Sequence, residues 1–172
     1  MAFTLVLTTT TGWTADTGTR PYKVAVLPFE TISAENIDYI KTGIVQMFQS
    51  RIRWHKKVTV IPPQQTKELI KNIEQSDQNR LIIELAKAAG ADYVITGTVT
   101  QFSNAFSIDS RLYDIKNKRY LLFTEQSKRF GDLIPKVDFI AAKINKKVFN
   151  RQTISYDNLV SREKEKYEQL KR

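Results

Sequence analysis

The chain has 172 residues, 41% of them apolar, and carries 27 lysines and arginines against 18 aspartates and glutamates, a formal net charge of +9. That is enough apolar material for one domain with its own hydrophobic core, which excludes disorder throughout. The chain has no cysteine, which excludes disulfide frameworks, thiolate metal sites, iron–sulfur clusters, thiol nucleophiles and a lipid-modified cysteine within it, and its single histidine excludes metal sites built on two imidazoles.

Residues 1–21 read as a leader, the remnant of a secretory signal peptide. Met1 to Ala15 are uncharged and moderately apolar, and they end at a small residue before the polar stretch Asp16 to Arg20. Lys23 to Phe29 (KVAVLPF) is a short apolar run closed by a proline, as expected of a central strand entering a loop. Ser33 is placed to cap a helix with Glu35 in its first turn, and Ile37, Ile40, Ile44, Met47 and Phe48 then recur on one face to about Arg53. Val58 to Ile61 form a second strand, stopped by Pro62 and Pro63. A short helix is expected over Thr66 to Ile73, and another over Arg80 to Ala89 through Leu81, Leu85 and Ala88, with Gly90 as a left-handed C-terminal cap.

From Asp92 the period changes. Asp92 to Phe102 is rich in β-branched and aromatic residues, and Phe106, Ile108 and Leu112 alternate with polar neighbours in a following strand. Asn117, between two lysines, supplies a tight turn, and Tyr120 to Gln126 complete a three-stranded antiparallel meander. A last helix over Asp132 to Phe149 sets Ile134, Val137, Ile140, Ala141, Ile144 and Val148 on one stripe, with Pro135 tolerated in its first turn. The order β-α-β-α-α-β-β-β-α predicts one α/β domain over residues 22–151. Residues 152–172 alternate charge sign with almost no apolar stripe and read as a charged tail or linker. No stretch reaches the roughly 18 to 20 apolar residues of a membrane span.

The positive excess sits in the second half of the chain, in three clusters: Arg51, Arg53, Lys56 and Lys57; Lys116, Lys118 and Arg119; and Lys143, Lys146 and Lys147. All fall near predicted helix ends or at a hairpin turn, where basic side chains favour the helix dipole and keep a surface soluble. A nucleic-acid or anionic-surface binder is the alternative reading of the same charges. His55, between Trp54 and Lys56, lacks the neighbouring nucleophile and orienting carboxylate that a general base requires. No glycine-rich phosphate cradle and no nucleophile elbow occurs. Asp109 and Asp114 lie five apart and face opposite sides of a strand, and Asp92 and Asp114 are read as bonding local backbone. No catalytic residue, cofactor or metal ligand is therefore assigned. Two features admit a binding role. Pro28, Phe29, Glu30 and Thr31 follow the first strand, where open α/β sheets tend to bind ligands, although a plain turn with Phe29 in the core is the favoured reading of them. The strand pair 92–116 offers an edge for strand addition by a partner, unless Lys116, Lys118 and Arg119 blunt it.

Three segments taken together, KVAVLPF at 23–29, LAKAAGADYVITG at 85–97 and IDSRLYD at 108–114, resemble the N-terminal domain of TolB and the related CsgG-like envelope domains. GIVQMFQSRI at 43–52 and FIAAKINKKVF at 139–149 look similar to versions preceding a propeller of FG-GAP or VCBS repeats in secreted bacterial proteins. The resemblance implies a mixed five-stranded sheet flanked by helices, no catalytic residues, and protein–protein contacts in the periplasm or at the outer membrane. The expected function is thus a non-enzymatic, exported envelope interaction or assembly domain whose partner is another envelope protein, either standing alone or as a fragment of a longer protein.

Overall fold

The computed structural model describes residues 20–73 and 77–170, so the leader expected over residues 1–21 lies almost wholly outside the described residues. The described chain runs β1 (Tyr22–Val26), β2 (Glu30–Ile32), α1 (Tyr39–Ile52), β3 (Val58–Val60), α2 (Pro63–Lys71), α3 (Gln78–Ala89), β4 (Tyr93–Phe102), β5 (Ala105–Asp114), β6 (Arg119–Ser127), α4 (Leu133–Phe149) and α5 (Ile154–Leu170). The sheet is mixed, with order β3-β1-β4-β5-β6, parallel on the β3-β1-β4 side and antiparallel through β4-β5-β6.

It has six strands rather than five, because the chain resumes pairing after Pro28. β1 runs parallel to the start of β4 (Val24 opposite Tyr93, Val26 opposite Ile95), and β2 continues along the same edge of β4 (Glu30 opposite Thr98, Ile32 opposite Thr100). Leu27 still donates to the Ile95 carbonyl at 2.8 Å. Pro28 has no N–H to offer, so the ladder breaks there for a few residues and β1 and β2 are two halves of one interrupted strand.

Two apolar layers result. On one face α1 and α4 bring Ile40, Ile44, Phe48, Ile140 and Ile144 against Val24, Val26, Ile95, Ile108 and Leu112. On the other, α3 brings Ile82, Leu85 and Ala86 against Ala25, Leu27 and Val94. This second layer reaches only the first residues of β4. Beyond them no described helix covers that face of the meander, and the alternation of the strands places Thr98, Asp109, Arg111, Leu122 and Thr124 on it.

Several helix boundaries differ from expectation for local reasons. The Ser33 hydroxyl accepts from the Glu35 N–H at 3.0 Å and Asn36 Oδ1 from the Asp38 N–H at 3.0 Å. These two successive side-chain turns occupy residues 33–38, so α1 starts at Tyr39. Pro63 begins α2 instead of blocking it, since the first helical position needs no N–H. In α3 the buried residues are Ile82, Leu85 and Ala86 while Ala88 is exposed, a face turned by one residue from the expected one; Gly90 caps the helix at φ 61° as expected. Ile134 is exposed, and Leu133 and Phe139 take buried places on α4. Residues 154–170 are helical, and α5 packs on α4 with Leu159 buried and the Arg162 guanidinium 5.4 Å from the Phe139 ring centre. One buried apolar residue and two cation–ring contacts, Arg162 over Phe139 and Lys146 over Tyr156, make this contact, which is why no apolar stripe announces it.

Candidate functional site

The segment Pro28 to Thr31 lies where β1 gives way to β2. Pro28 and Glu30 are exposed, Thr31 is half-buried, and Phe29 is 1% exposed. The Phe29 ring stacks on Phe48 with centroids 5.2 Å apart, and it reaches that position by crossing β4 at Gly97. A Cβ at Gly97 would stand 2.5 Å from Phe29 Cε1 and 2.3 Å from the Asp109 carbonyl oxygen, so only glycine leaves room. Phe29 therefore holds the segment in place while its neighbours form the surface.

Pro28 separates two depressions. The larger, about 740 Å³, runs between Pro28 and Glu30 on one side and Ile70, Lys71 and Leu81 of α2 and α3 on the other, over Thr96. The smaller, about 150 Å³, is bounded by Pro28, Val45, Lys41, Pro63 and Lys67. Glu30 thus lines the larger depression together with Lys71 of α2, while Lys41 of α1 and Lys67 of α2 line the smaller one. The groove wall from α2 and α3 was not among the expected site residues, because nothing in their spacing shows which of the two helical layers will flank residue 30.

The Asp92 carboxylate bonds groups far along the chain rather than the local backbone expected for it. It accepts the Lys23 N–H at 2.8 Å from the neighbouring strand and both Arg20 guanidinium nitrogens at 2.9 and 2.7 Å. Burial alone would raise its pKa, but these hydrogen bonds and the Arg20 charge outweigh it and hold the carboxyl below the ordinary range. Asp114 is buried and does serve local structure, accepting from the Asn117 N–H at 3.1 Å and Asn117 Nδ2 at 2.7 Å; the left-handed residue of that turn is Lys118 at φ 50°. Asp109 faces the uncovered side of the sheet and accepts from Ser107 and Thr124 hydroxyls. His55 is exposed in the turn between α1 and β3. Among the described residues no group of three metal-ligating side chains gathers, and no helix is long and apolar enough to cross a membrane.

The basic clusters are partly engaged within the fold. Arg51 pairs with Asp138 on α4, Arg119 lies 3.6 Å from Asp114, and Lys136 and Lys143 both bond Glu125, at 2.8 and 2.6 Å. The edge expected on the pair 92–116 is not free, since β4 and β5 are both interior strands; among the described residues the meander's unpaired edge is β6. Leu122, Phe123 and Thr124 of β6 face Lys143, Lys146 and Lys147 of α4 and Tyr156 of α5 across a cleft of about 320 Å³.

A sequence model described as the TolB amino-terminal domain matches residues 15–121. Two solved structures share the fold. TolB from Acinetobacter baumannii superposes with a TM-score of 0.54 at 19% identity, over 79% of this chain and 30% of that one. Lipoprotein GNA1162 from Neisseria meningitidis superposes with a TM-score of 0.52 at 18% identity, over 74% of this chain and 99% of that one. The chain thus spans less than a third of the Acinetobacter TolB and corresponds to nearly the whole of the Neisseria lipoprotein domain. No curated protein matches the sequence.

Proposed function

The chain belongs to the TolB amino-terminal domain family, and from that membership we propose that it is a non-enzymatic interaction or assembly domain of the cell envelope, exported to the periplasm or held at the outer membrane, whose partner is another envelope protein. The observation that carries the reading is the groove at the end of β1, where Pro28 and Glu30 stand exposed above a core-anchored Phe29. Rigid anchoring beneath a small exposed patch is how a site presents contacts without first ordering itself. Pro28, Glu30 and Thr31 are the residues proposed to meet the partner, with Phe29 fixing their position.

The proposed contact is tested by placing a photo-cross-linking residue at position 30 and exposing the protein to a periplasmic extract. A discrete adduct should form, and Glu30→Lys should weaken capture of that partner by about tenfold, as expected for reversing one charge within an interface. Enrichment of no partner over a charge-matched control protein would overturn the reading. The nucleic-acid alternative draws less support, because Arg51, Arg119 and Lys143 already have carboxylate partners in the fold. A salt titration separates the two, since phosphate binding weakens steeply between about 50 and 200 mM salt.

Within the same reading, residues 1–21 are the remnant of a secretory leader, residues 22–151 are the interaction domain, and the domain either stands alone or precedes a β-propeller in a longer chain, the second place being supported by the motifs at 43–52 and 139–149. Relation to the CsgG-like domains rests on the same motif order. The genomic sequence on both sides of the reading frame tests leader and propeller together.

A further inference from the structure

β6 is the one long free edge of the described sheet. It pairs only with β5, from Phe106 opposite Ser127 to Asp114 opposite Arg119, whereas the opposite edge strand β3 has three residues. A nine-residue edge presents a row of unpaired backbone donors and acceptors, which folds usually shorten, twist away or cover. Here Tyr120 and Leu122 are 57% and 59% exposed on one side of that edge. On the other side lies the cleft whose far wall is Lys143, Lys146, Lys147 and Tyr156.

The cleft keeps an excess of positive charge after its internal pairs are counted. Lys143 shares Glu125 with Lys136. Lys146 donates to Gln152 Oε1 at 3.0 Å and stands 6.0 Å from the Tyr156 ring centre, so it has no carboxylate partner among the described residues. Lys147 is exposed and likewise makes no ion pair with a described residue.

We propose that the β6 edge and this basic cleft together dock an extended, acidic segment of a partner protein, which adds to the sheet as a further strand. Main-chain hydrogen bonds to β6 would supply much of the affinity, and alternate side chains would supply the choice of partner. The spacings agree. Lys143 and Lys147 are four helical residues apart, about 6 Å, and alternate side chains of a strand repeat at about 6.7 Å. Acidic residues at every second position would meet the lysines of α4 in turn, while the intervening apolar residues would lie beside Tyr120 and Leu122 on the uncovered face. This surface is separated from Glu30 by β4 and β5, so it stands or falls independently of the groove beside Pro28.

The test uses a fluorescent synthetic peptide of alternating glutamate and valine, with the lysine–valine peptide and a glutamate–proline peptide as controls, titrated into the full chain. Anisotropy should report binding of the first peptide only, and amide exchange of β6 should slow when it binds. Lys147→Glu, an exposed position that leaves packing intact, should weaken binding by about tenfold. Equal binding of the lysine–valine or the glutamate–proline peptide would overturn the proposal, as would binding without protection of β6. Uptake of phosphatidylglycerol vesicles in place of the peptide would reassign the lysines to a membrane surface. Protection of β6 that grows with protein concentration alone would reassign the edge to a second copy of the chain.

Discussion

At Gly97 an added Cβ would press on the Phe29 ring and on the Asp109 carbonyl at once. Because one of these is backbone, relaxation is limited, and Gly97→Ala should cost about 1–3 kcal/mol as overpacking. Phe29→Ala should cost about 3–5 kcal/mol by opening a cavity against Phe48. Denaturant titration checks both, and a neutral Gly97→Ala would show that the ring does not cross β4 closely. Glu125 provides a pH test. Burial would raise its pKa, but hydrogen bonds from Lys136 and Lys143 and their charges pull it below the ordinary glutamate value of 4.5. A carboxyl with a depressed folded-state pKa adds stability that is present above its unfolded pKa and lost as pH falls through the folded one. The wild type should therefore exceed Glu125→Gln in melting temperature at neutral pH, and the gap should close below about pH 4.5. A gap that persists at lower pH would show that the carboxylate charge is not what stabilises the cluster. At this scale the sequence is legible where a residue acts on its neighbours, as Asn117 and Asp114 do in their turn. It is silent where partners lie far along the chain, as for Asp92 with Arg20 and Lys23.

Among the elements, α3 and α5 mark the two extremes of legibility. The C-terminal end of α3 is written in Gly90, whose φ of 61° favours glycine. Gly90→Ala should cost about 1 kcal/mol, read as a fall in melting temperature without change in the near-ultraviolet spectrum. The charge alternation along α5 hides its contact with α4, because Leu159 and the guanidinium of Arg162 over Phe139 do the packing. Leu159→Ala should release this helix. Amide exchange in α5 should become fast while α4 stays protected, as expected of a locally unfolding unit. Exchange that rises in α4 and α5 together would show instead that the two helices unfold as one. The β1–β2 break was legible only in part. Pro28 announces an interruption, but the return to β4 at Glu30 depends on a strand that begins far downstream.

For the whole molecule, the alternation of strand and helix signals and the meander's period of two sufficed to place one α/β domain ending in an antiparallel meander, and the mixed sheet was implied by the resemblance to the TolB N-terminal domain. Which edge stays free did not follow from them, since every meander strand carries similar residues and only the order β3-β1-β4-β5-β6 leaves β6 outermost. The net charge of +9 similarly takes meaning from position. Several cations close the fold on Asp114, Glu125 and Asp138, whereas Lys146 and Lys147 of the α4 cleft have no carboxylate partner among the described residues. The central place of β4 also sets a timetable for synthesis. β1 reaches its β4 neighbourhood across a gap as long as the 69 residues between Lys23 and Asp92, whereas β5 and β6 follow β4 through short turns. Distant pairings carry the larger loop-closure cost and form later. As the chain leaves the ribosome, the N-terminal strands must wait for β4, and the meander should be the first part of the sheet to set. Pulse-labelled exchange during refolding should find β4–β6 amides protected before those of β1, and the reverse order would mean that β1 and β3 assemble without their central neighbour.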